Sequence, residues 1–215
     1  MRLYPLNIKM SGRRCVVIGG GTVAARKVGS LLECGAEVTV ISPKLCAELE
    51  HSERDAEIDT ARRGYQTGDL DGAFFAIAAT SAQEVNEAVA HEARATGVLV
   101  NVVDVPELCD FYLPATVRRG HLLIAVSTDG VFPGLSKTLR LELEETFGPE
   151  YADYLALIGE YRERLKGLGS PETKKEAERV LLELRVLPLL ANGKHAEAEA
   201  VVAQAMAPFF DKDQA

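Results

Sequence analysis

The sequence predicts an α/β protein: a doubly wound parallel sheet, then a hairpin with one helix, then an all-helical module. Three observations predict this architecture. Short apolar strands alternate with amphipathic helical stretches over the first half of the 215 residues, a pattern typical of right-handed βαβ units. Two extended runs separated by a short turn follow. Beyond them the apolar residues recur only at helical spacing.

The first half of the chain predicts the strands and helices of the doubly wound sheet. Arg14–Ile18 (RCVVI) is a β-branched apolar run and is predicted as a buried parallel strand. Apolar residues at helical spacing predict a helix over Thr22–Cys34, and Gly35 ends it. A second strand is predicted at Glu37–Ile41, and Pro43 is placed at the first turn of a second helix. Further strands at Glu57–Ala61, Ala73–Ala79 and Val98–Val103 and a helix at Ala82–Thr96 complete the predicted sheet.

The pattern changes beyond residue 110. Phe111–Val117 and His121–Ser127 are extended runs joined by Arg118-Arg119-Gly120, which predicts an antiparallel hairpin. Helices are predicted at Leu135–Phe147, Tyr151–Leu165, Pro171–Leu190 and Ala196–Ala207. We therefore expect a doubly wound domain at 1–113, a middle region at 114–149 and a helical domain at 150–215. Because a two-stranded hairpin does not bury both of its faces, we expect the middle region to form a homodimer.

Composition excludes some classes of function. The net charge of -8 argues against general affinity for nucleic acid or anionic membranes. We find neither a signal-peptide core near the N-terminus nor a run of the ~18 apolar residues that a membrane span needs, so a cytoplasmic location is expected. The 4 cysteines show no C-x-x-C spacing and the 4 histidines are far apart, so no metal site is predicted.

The loop after the first strand predicts a Rossmann-like dinucleotide site. Residues 19–24 (GGGTVA) fit the pattern G-x-G-x-x-A. Gly19 permits the tight turn, Gly21 lets the backbone approach a pyrophosphate, and Ala24 lets the helix pack on the strand. The free N–H groups at the helix start then attract phosphate. The motif follows a predicted strand and opens a predicted helix, which is the context it requires.

The second strand leaves the type of dinucleotide open. An Asp or Glu about 20 residues after the glycines usually holds the ribose 2′-hydroxyl, but this chain has Ser42-Pro43-Lys44 there. Ser42 is able to hydrogen-bond a ribose hydroxyl. Lys44 either favours a 2′-phosphate or is a solvated residue at a helix start. The residues themselves therefore leave NAD and NADP as alternatives.

A carboxylate follows the last strand of the predicted sheet. Ligands of open α/β sheets bind beyond the carboxyl ends of the strands, and Asp104 stands at such an end in NVVDVP, residues 101–106. There it is either a base that takes a proton as a hydride leaves the substrate or an ordinary turn carboxylate. Asn101, polar within an apolar run, is expected to mark the cofactor side of the sheet.

A second polar cluster lies downstream and contains several basic residues. On an acidic chain, such a cluster is suited to a polyanionic substrate; the alternative is a solvated hairpin turn and helix face. Its members are Arg118, Arg119, His121, Ser127, Thr128, Ser136, Lys137 and Arg140.

These motifs together resemble one family. The chain is similar to precorrin-2 dehydrogenase, the dehydrogenase and chelatase part of siroheme synthase, from residue 1 to about residue 147. The matching stretches are Tyr4-Pro5, Gly12-Arg13, VVIGGGTVAARK, LLECGAEVTVISP, AIAAT, VNVVDVP, FYLPA and IAVSTDGVFPGLSK. The helical remainder carries little signature.

The resemblance implies NAD-dependent oxidation of precorrin-2 to sirohydrochlorin, and in some members insertion of Fe²⁺ as a further substrate. It implies that Asp104 is the general base, that the cofactor is NAD and that the chain forms a homodimer. The cofactor contacts that follow from the motifs are Gly19, Gly21, Thr22, Val23, Ser42, Pro43, Lys44, Thr80 and Asn101. Some members have Ser where this chain has Thr128, and the methyltransferase half of fused siroheme synthases is absent from these 215 residues.

The implied substrate suits the basic cluster. Precorrin-2 carries eight carboxylates, which a chain of net charge -8 binds only through local positive groups. The residues predicted to bind it are Arg118, His121, Thr128, Lys137 and Arg140. Two alternatives stay open: a nucleotide-sensing regulatory module, and an unrelated NAD(P)-dependent oxidoreductase.

Overall fold

The chain folds into two compact units that meet in sequence between Leu113 and Pro114. The computed structural model describes residues 2–167 and 170–211, so positions 168–169 and 212–215 of the predicted helical domain lie outside the described residues. No helix in the described part of the chain has the length and hydropathy needed to cross a membrane.

The first unit is built on a parallel sheet of five strands in the order β3-β2-β1-β4-β5. The strands are β1 Arg14–Ile18, β2 Glu37–Ile41, β3 Ile58–Ala61, β4 Phe75–Ala78 and β5 Leu99–Val102. The helices are α1 Thr22–Leu32, α2 Ala47–Arg54 and α3 Gln83–Thr96, with a short 3₁₀ turn at Pro106–Leu108. The predicted doubly wound α/β fold is confirmed.

Both faces of this sheet are covered, which explains why its strands are apolar at almost every position. On one face, Val17 and Ile77 pack with Val28 of α1 and Leu49 of α2. The opposite face carries the alternate strand residues, which pack against α3. Because helices lie on both faces, the edge formed by the carboxyl ends of the strands is where loops gather.

The prediction that Pro43 opens the second helix is wrong. The helix α2 begins at Ala47, and the preceding residues form a loop held to the glycine turn. The Ser42 hydroxyl donates to Lys44 O at 2.7 Å, and Cys46 N donates to Gly20 O at 2.7 Å. The local hydrogen bond of Ser42 and the tertiary one from Cys46 to Gly20 keep the loop out of the helical conformation that Pro43 favours.

The second unit contains a two-stranded hairpin and five helices within the described residues. The strands are β6 Ala115–Arg119 and β7 Leu122–Val126, and the helices are α4 Pro133–Thr146, α5 Glu150–Leu165, α6 Pro171–Glu183, α7 Leu187–Ala191 and α8 His195–Asp211. The helical core is formed by Leu165, Ala177, Leu181, Val186, Leu190, Ala198, Val202 and Met206.

The predicted hairpin is confirmed, but its turn lies further along the chain. Arg119 pairs with Leu122, so the loop is Gly120-His121 and the two arginines belong to β6. Gly120 has φ +54°, the conformation that a tight two-residue loop requires. Arg119 donates to Phe147 O at 2.9 Å, so it satisfies the free carbonyl at the end of α4.

The single helix predicted over Pro171–Leu190 is wrong, because the chain leaves the helical conformation between α6 and α7. Leu184 is extended, with ψ 124°. The cause is local: Pro188 lacks an N–H group, and its ring would clash with the carbonyl of Leu184 in a continuous helix. Pro188 is instead accommodated in the first turn of α7.

Candidate functional site

The site lies at the carboxyl ends of β1, the central strand of the first unit, and its neighbour β4. The chain runs from β1 outward through β2 and β3, and then returns to place β4 on the other side of β1. The direction of winding therefore reverses between β1 and β4. Such a switch point leaves a crevice between the loops that follow the two strands, and ligands bind in that crevice.

Gly19 is the residue through which the chain leaves β1. It has φ +125°, a conformation that only glycine adopts readily. A Cβ at this position would lie 2.8 Å from the carbonyl carbon of Ala79 and closer still to its oxygen. The loop after β1 is therefore packed directly against the end of β4, with no space for any other residue type.

The next glycine is packed just as closely, against the loop that follows β2. A Cβ at Gly20 would lie 2.6 Å from Ser42 Oγ and closer still to Lys44 O. The structure therefore brings Ser42, Pro43 and Lys44 next to the glycine loop, as predicted cofactor contacts on adjacent strands require. Ser42 is buried, whereas Pro43 and Lys44 are exposed.

The third glycine differs from the first two, because the space beside it is open. A Cβ at Gly21 would meet no atom within 4 Å. Gly21 precedes α1 with φ -87° and ψ -178° and provides no side-chain cap, and Thr22 and Val23 are exposed. The first N–H groups of α1 are thus presented to an open space with the positive end of the helix dipole behind them. This geometry fits a phosphate of a dinucleotide.

Thr80, a predicted cofactor contact after β4, makes hydrogen bonds within the chain. Its Oγ1 lies 2.8 Å from Asn86 Oδ1 and accepts a hydrogen bond from Ala82 N at 3.2 Å. Asn86 is buried and returns a hydrogen bond from its amide nitrogen to Thr80 O at 3.0 Å. The pair fixes the start of α3 beside the glycine loop. Sequence patterns do not single out Asn86, because it occupies an ordinary helix position.

Asn101 and Asp104 lie on and just after β5. Asn101 is buried, and its amide nitrogen donates to Phe111 O at 2.9 Å, so it holds the segment that follows Asp104. Asp104 is exposed and has φ +61°. The left-handed conformation costs a non-glycine residue about 1–2 kcal/mol, and strain of this kind is often found at functional sites.

Lys27 is a cation near Asp104 that the sequence patterns did not identify. Lys27 is half-buried in α1, four residues after Val23. Burial lowers the pKa of Lys27 and the neighbouring charge of Arg26 lowers it further, while the negative charge of Asp104 raises it. Because Asp104 raises the pKa of Lys27, the positive charge that Lys27 places on α1 lies near the Asp104 carboxylate. The i, i+4 spacing from the exposed residue Val23 is the only signal for it in the sequence.

The predicted substrate-binding residues belong to the second unit. Arg118, His121 and Lys137 are exposed, so their charges are available to a ligand. Arg140 forms an ion pair with Glu144 one turn further along α4, which compensates its charge.

Thr128 lies in the loop between β7 and α4 of the second unit. Its Oγ1 is 3.2 Å from Ser136 Oγ and accepts a hydrogen bond from Phe132 N at 3.3 Å. Ser136 is buried. The predicted ligand Thr128 is therefore also a residue that orders the loop before α4.

The architecture of the glycine loop is matched by a protein-family model. The model described as "Putative NAD(P)-binding" matches residues 6–115, slightly more than half of the chain. The chain belongs to this NAD(P)-binding family. The matched residues comprise the whole sheet of the first unit, including the glycine loop, the loop after β2 and Asp104.

Relatives of this NAD(P)-binding chain confirm the predicted resemblance. Siroheme synthase of Methylobacillus flagellatus is 43% identical over 166 residues, which cover 77% of this chain and 36% of that protein. Siroheme synthase of Thioalkalivibrio sulfidiphilus is 35% identical over 207 residues, covering 96% of this chain and 42% of that protein. The chain thus spans about two fifths of the length of these relatives.

A solved structure is similar over nearly the whole chain. The structure of SirC, a precorrin-2 dehydrogenase, superimposes with a TM-score of 0.76 at 28% sequence identity. The similarity covers 94% of this chain and 100% of SirC.

The contrast between the first and third glycines provides a test of the dinucleotide site. In Gly21→Ala the backbone conformation suits alanine, so we expect unchanged or slightly higher thermal stability. The new methyl group occupies the space in front of the α1 amides, and we expect the Kd for NAD, measured by calorimetry, to rise roughly tenfold or more. Gly19→Ala is the matched control and should lower the unfolding temperature, because its methyl group overlaps Ala79. Unchanged NAD affinity in a folded Gly21→Ala variant would contradict the assignment.

Proposed function

We propose that the chain oxidises precorrin-2 to sirohydrochlorin, with NAD as the hydride acceptor. The observation that carries this proposal is the similarity to SirC, which extends over 100% of that precorrin-2 dehydrogenase and 94% of this chain. The names of the siroheme synthase relatives support a role in the same biosynthesis. The uncapped start of α1 and the exposed carboxylate after β5 supply the two groups that the reaction needs.

The oxidation removes one hydride and one proton from the substrate. When bound, NAD supplies the acceptor for the hydride. The amides at the start of α1 hold its pyrophosphate, because Gly21, Thr22 and Val23 are exposed there and no side chain caps the helix. Ser42 donates its own hydroxyl proton to Lys44 O, which leaves the Ser42 oxygen free to accept a hydrogen bond from a ribose hydroxyl.

Asp104 is the group that accepts the proton. Its carboxylate is exposed at the carboxyl edge of the sheet, on the loop of the strand next to β4. Lys27 of α1 places a positive charge near this carboxylate. The backbone of Asp104 is left-handed, so its side chain leaves the loop in a different direction from that of an extended residue at a strand end.

The carboxylates of the tetrapyrrole require cations, and the second unit offers them. Arg118 and Lys137 are exposed, and both lie outside the ion pairs found among the described residues. We assign them, with His121 and Thr128, to the substrate. Arg140 is the weaker candidate, because Glu144 compensates its charge.

We further propose that residues 114–149 form the interface of a homodimer. One face of the hairpin packs on the helices through Val117, which is buried. The other face carries Thr116, Arg118, Leu123 and Ala125, all exposed. Helices α4 and α5 cover the first face, so the second face, on which Leu123 is 37% exposed, is the one left to pack against a second copy of the chain.

Formation of NADH from NAD and enzymatically prepared precorrin-2, followed by absorbance, tests the proposed activity. Sirohydrochlorin should appear at the same rate as NADH. NAD binding without turnover of any substrate would indicate the nucleotide-sensing module instead. NADH formation with other reduced substrates but not with precorrin-2 would indicate an unrelated oxidoreductase.

The role of Asp104 is tested by Asp104→Asn, which keeps the size of the side chain and removes the base. We expect kcat to fall roughly a hundredfold or more, the usual contribution of a general base, with the Kd for NAD unchanged. Asp59→Asn, at an exposed position of β3, is the control and should retain normal kcat. Turnover near the normal rate in Asp104→Asn would remove Asp104 from the mechanism.

The role of Lys137 is tested by charge reversal. In Lys137→Glu we expect the KM for precorrin-2 to rise roughly tenfold, because a lost attraction becomes a repulsion, while NAD binding stays the same. The shift should shrink at high salt, since the position is exposed. Lys175→Glu, an equal charge change on an exposed face of α6, is the control. Equal KM values for the two variants would contradict a substrate contact at Lys137.

The dimer is tested by Leu123→Glu, which places a charge on the open face of the hairpin. We expect the normal chain to sediment as a dimer and Leu123→Glu as a monomer with an intact far-UV spectrum, because removing a charge from water at the centre of an interface is costly even beside Arg118 on the facing strand. Leu182→Glu, at a more exposed leucine of α6, should leave the dimer unchanged. A Leu123→Glu variant that still sediments as a dimer would show that this face is not the interface.

A further inference from the structure

The sulfur atom of Cys109 contributes to the closure of the loop that carries Asp104. Val102 N donates to Cys109 Sγ at 3.2 Å, and the thiol lies 3.1 Å from Val102 O and 3.4 Å from Val105 O, the two acceptors available to its proton. Asn101 adds a contact from its amide nitrogen to the sulfur at 3.6 Å. The partners of the sulfur therefore lie on both sides of Asp104 in the chain.

A second pair of hydrogen bonds joins the same segment to β5, through Asp110, the residue after Cys109. Asp110 N donates to Val100 O at 2.8 Å, and the Asp110 carboxylate accepts a hydrogen bond from Val100 N at 3.0 Å. The segment after the 3₁₀ turn is thereby joined to β5 at Val100, while Cys109 joins it at Val102. A third closure is the hydrogen bond of the turn itself, from Val105 N to Val102 O at 3.3 Å. Compared with the Asp110 closure, that of Cys109 is nearer to Asp104, and it adds a side-chain contact to the carbonyl of Val105, the residue directly after Asp104.

We propose that Cys109 is a positioning residue, which holds the left-handed turn at Asp104 so that the carboxylate faces the substrate. This inference rests on the proposed function, in which Asp104 takes the proton. A carboxylate in a left-handed turn needs such restraint, because the conformation is unfavourable for a residue with a Cβ. The Cys109 hydrogen bonds fix the backbone at Val102 and Val105, two residues before and one residue after Asp104.

The state of the thiol agrees with a positioning role. Cys109 is half-buried, and burial raises the pKa of its thiol. At neutral pH the group is therefore a neutral S–H, which both donates and accepts a hydrogen bond. A nucleophile would need the thiolate form and a lowered pKa.

Three variants of the full-length chain test the proposal. We expect Cys109→Ala to lower kcat roughly tenfold to a hundredfold, the effect of a small displacement of a catalytic group, with the Kd for NAD unchanged. Cys109→Ser keeps a donor and an acceptor and should recover most of the lost kcat. Cys15→Ala is the matched control: it removes a fully buried thiol from β1, so it should lower the unfolding temperature at least as much, yet leave kcat near normal.

Two further measurements separate positioning from general damage. In the Asp104→Asn background, Cys109→Ala should have no additional effect on kcat, because a residue that acts through Asp104 has nothing left to position. Hydrogen exchange should show faster exchange of the amides of Val102 and Val105 in Cys109→Ala than in the normal chain, whether or not substrate is turned over.

The outcomes distinguish the two proposals. If Asp104→Asn is inactive but Cys109→Ala has the kcat of Cys15→Ala, the positioning role is overturned and the proposed function stands. If Cys109→Ala lowers kcat equally in the normal and Asp104→Asn backgrounds, Cys109 does not act through Asp104, and the positioning role is again overturned. If the normal chain does not oxidise precorrin-2, the proposed function fails, and the positioning role that rests on it is overturned with it.

Discussion

The contact between Gly19 and the carbonyl group of Ala79 is the constraint on which the candidate site depends. It brings the loop after β1 directly over the end of β4, at the point where the winding of the sheet reverses. Because Gly19 has a positive φ, the chain turns sharply there and enters α1 with its first amides facing open space. A residue with a side chain at this position would push the two loops apart. The crevice between β1 and β4 would then lose its shape.

Much of the first unit could be predicted from sequence, for a physical reason. Strands covered on both faces must be apolar throughout, and glycines mark where such strands end. Errors arose where a tertiary contact outweighed a local preference, as at Pro43, where Ser42 and Cys46 hold the chain in a loop. The hairpin turn was misplaced because Arg119, which looks like a polar turn residue, caps the end of α4. The break before Pro188 follows from a local rule that the apolar spacing obscured.

The site was predictable where chemistry fixes the residue type and not where it depends on which elements face each other. Glycines at 19 and 21 and a carboxylate at a strand end follow from the demands of a dinucleotide and of proton transfer. Lys27 and Cys109 could not be found in this way, because their importance comes from lying near Asp104 in space. Asn101 illustrates the converse: its polarity was noticeable, but the structure gives its amide a partner in the backbone of Phe111.

The middle glycine of the loop has a further consequence. A dinucleotide fingerprint leaves this position unspecified, yet in this chain Gly20 is in contact range of the loop after β2, where Ser42 and Lys44 leave no room for a methyl group. The fingerprint allows any residue at this position, but the packing in this chain allows only glycine. A natural or designed change at Gly20 has to be accompanied by a reshaped loop after β2, so the sequences of the glycine loop and of the loop after β2 are expected to covary.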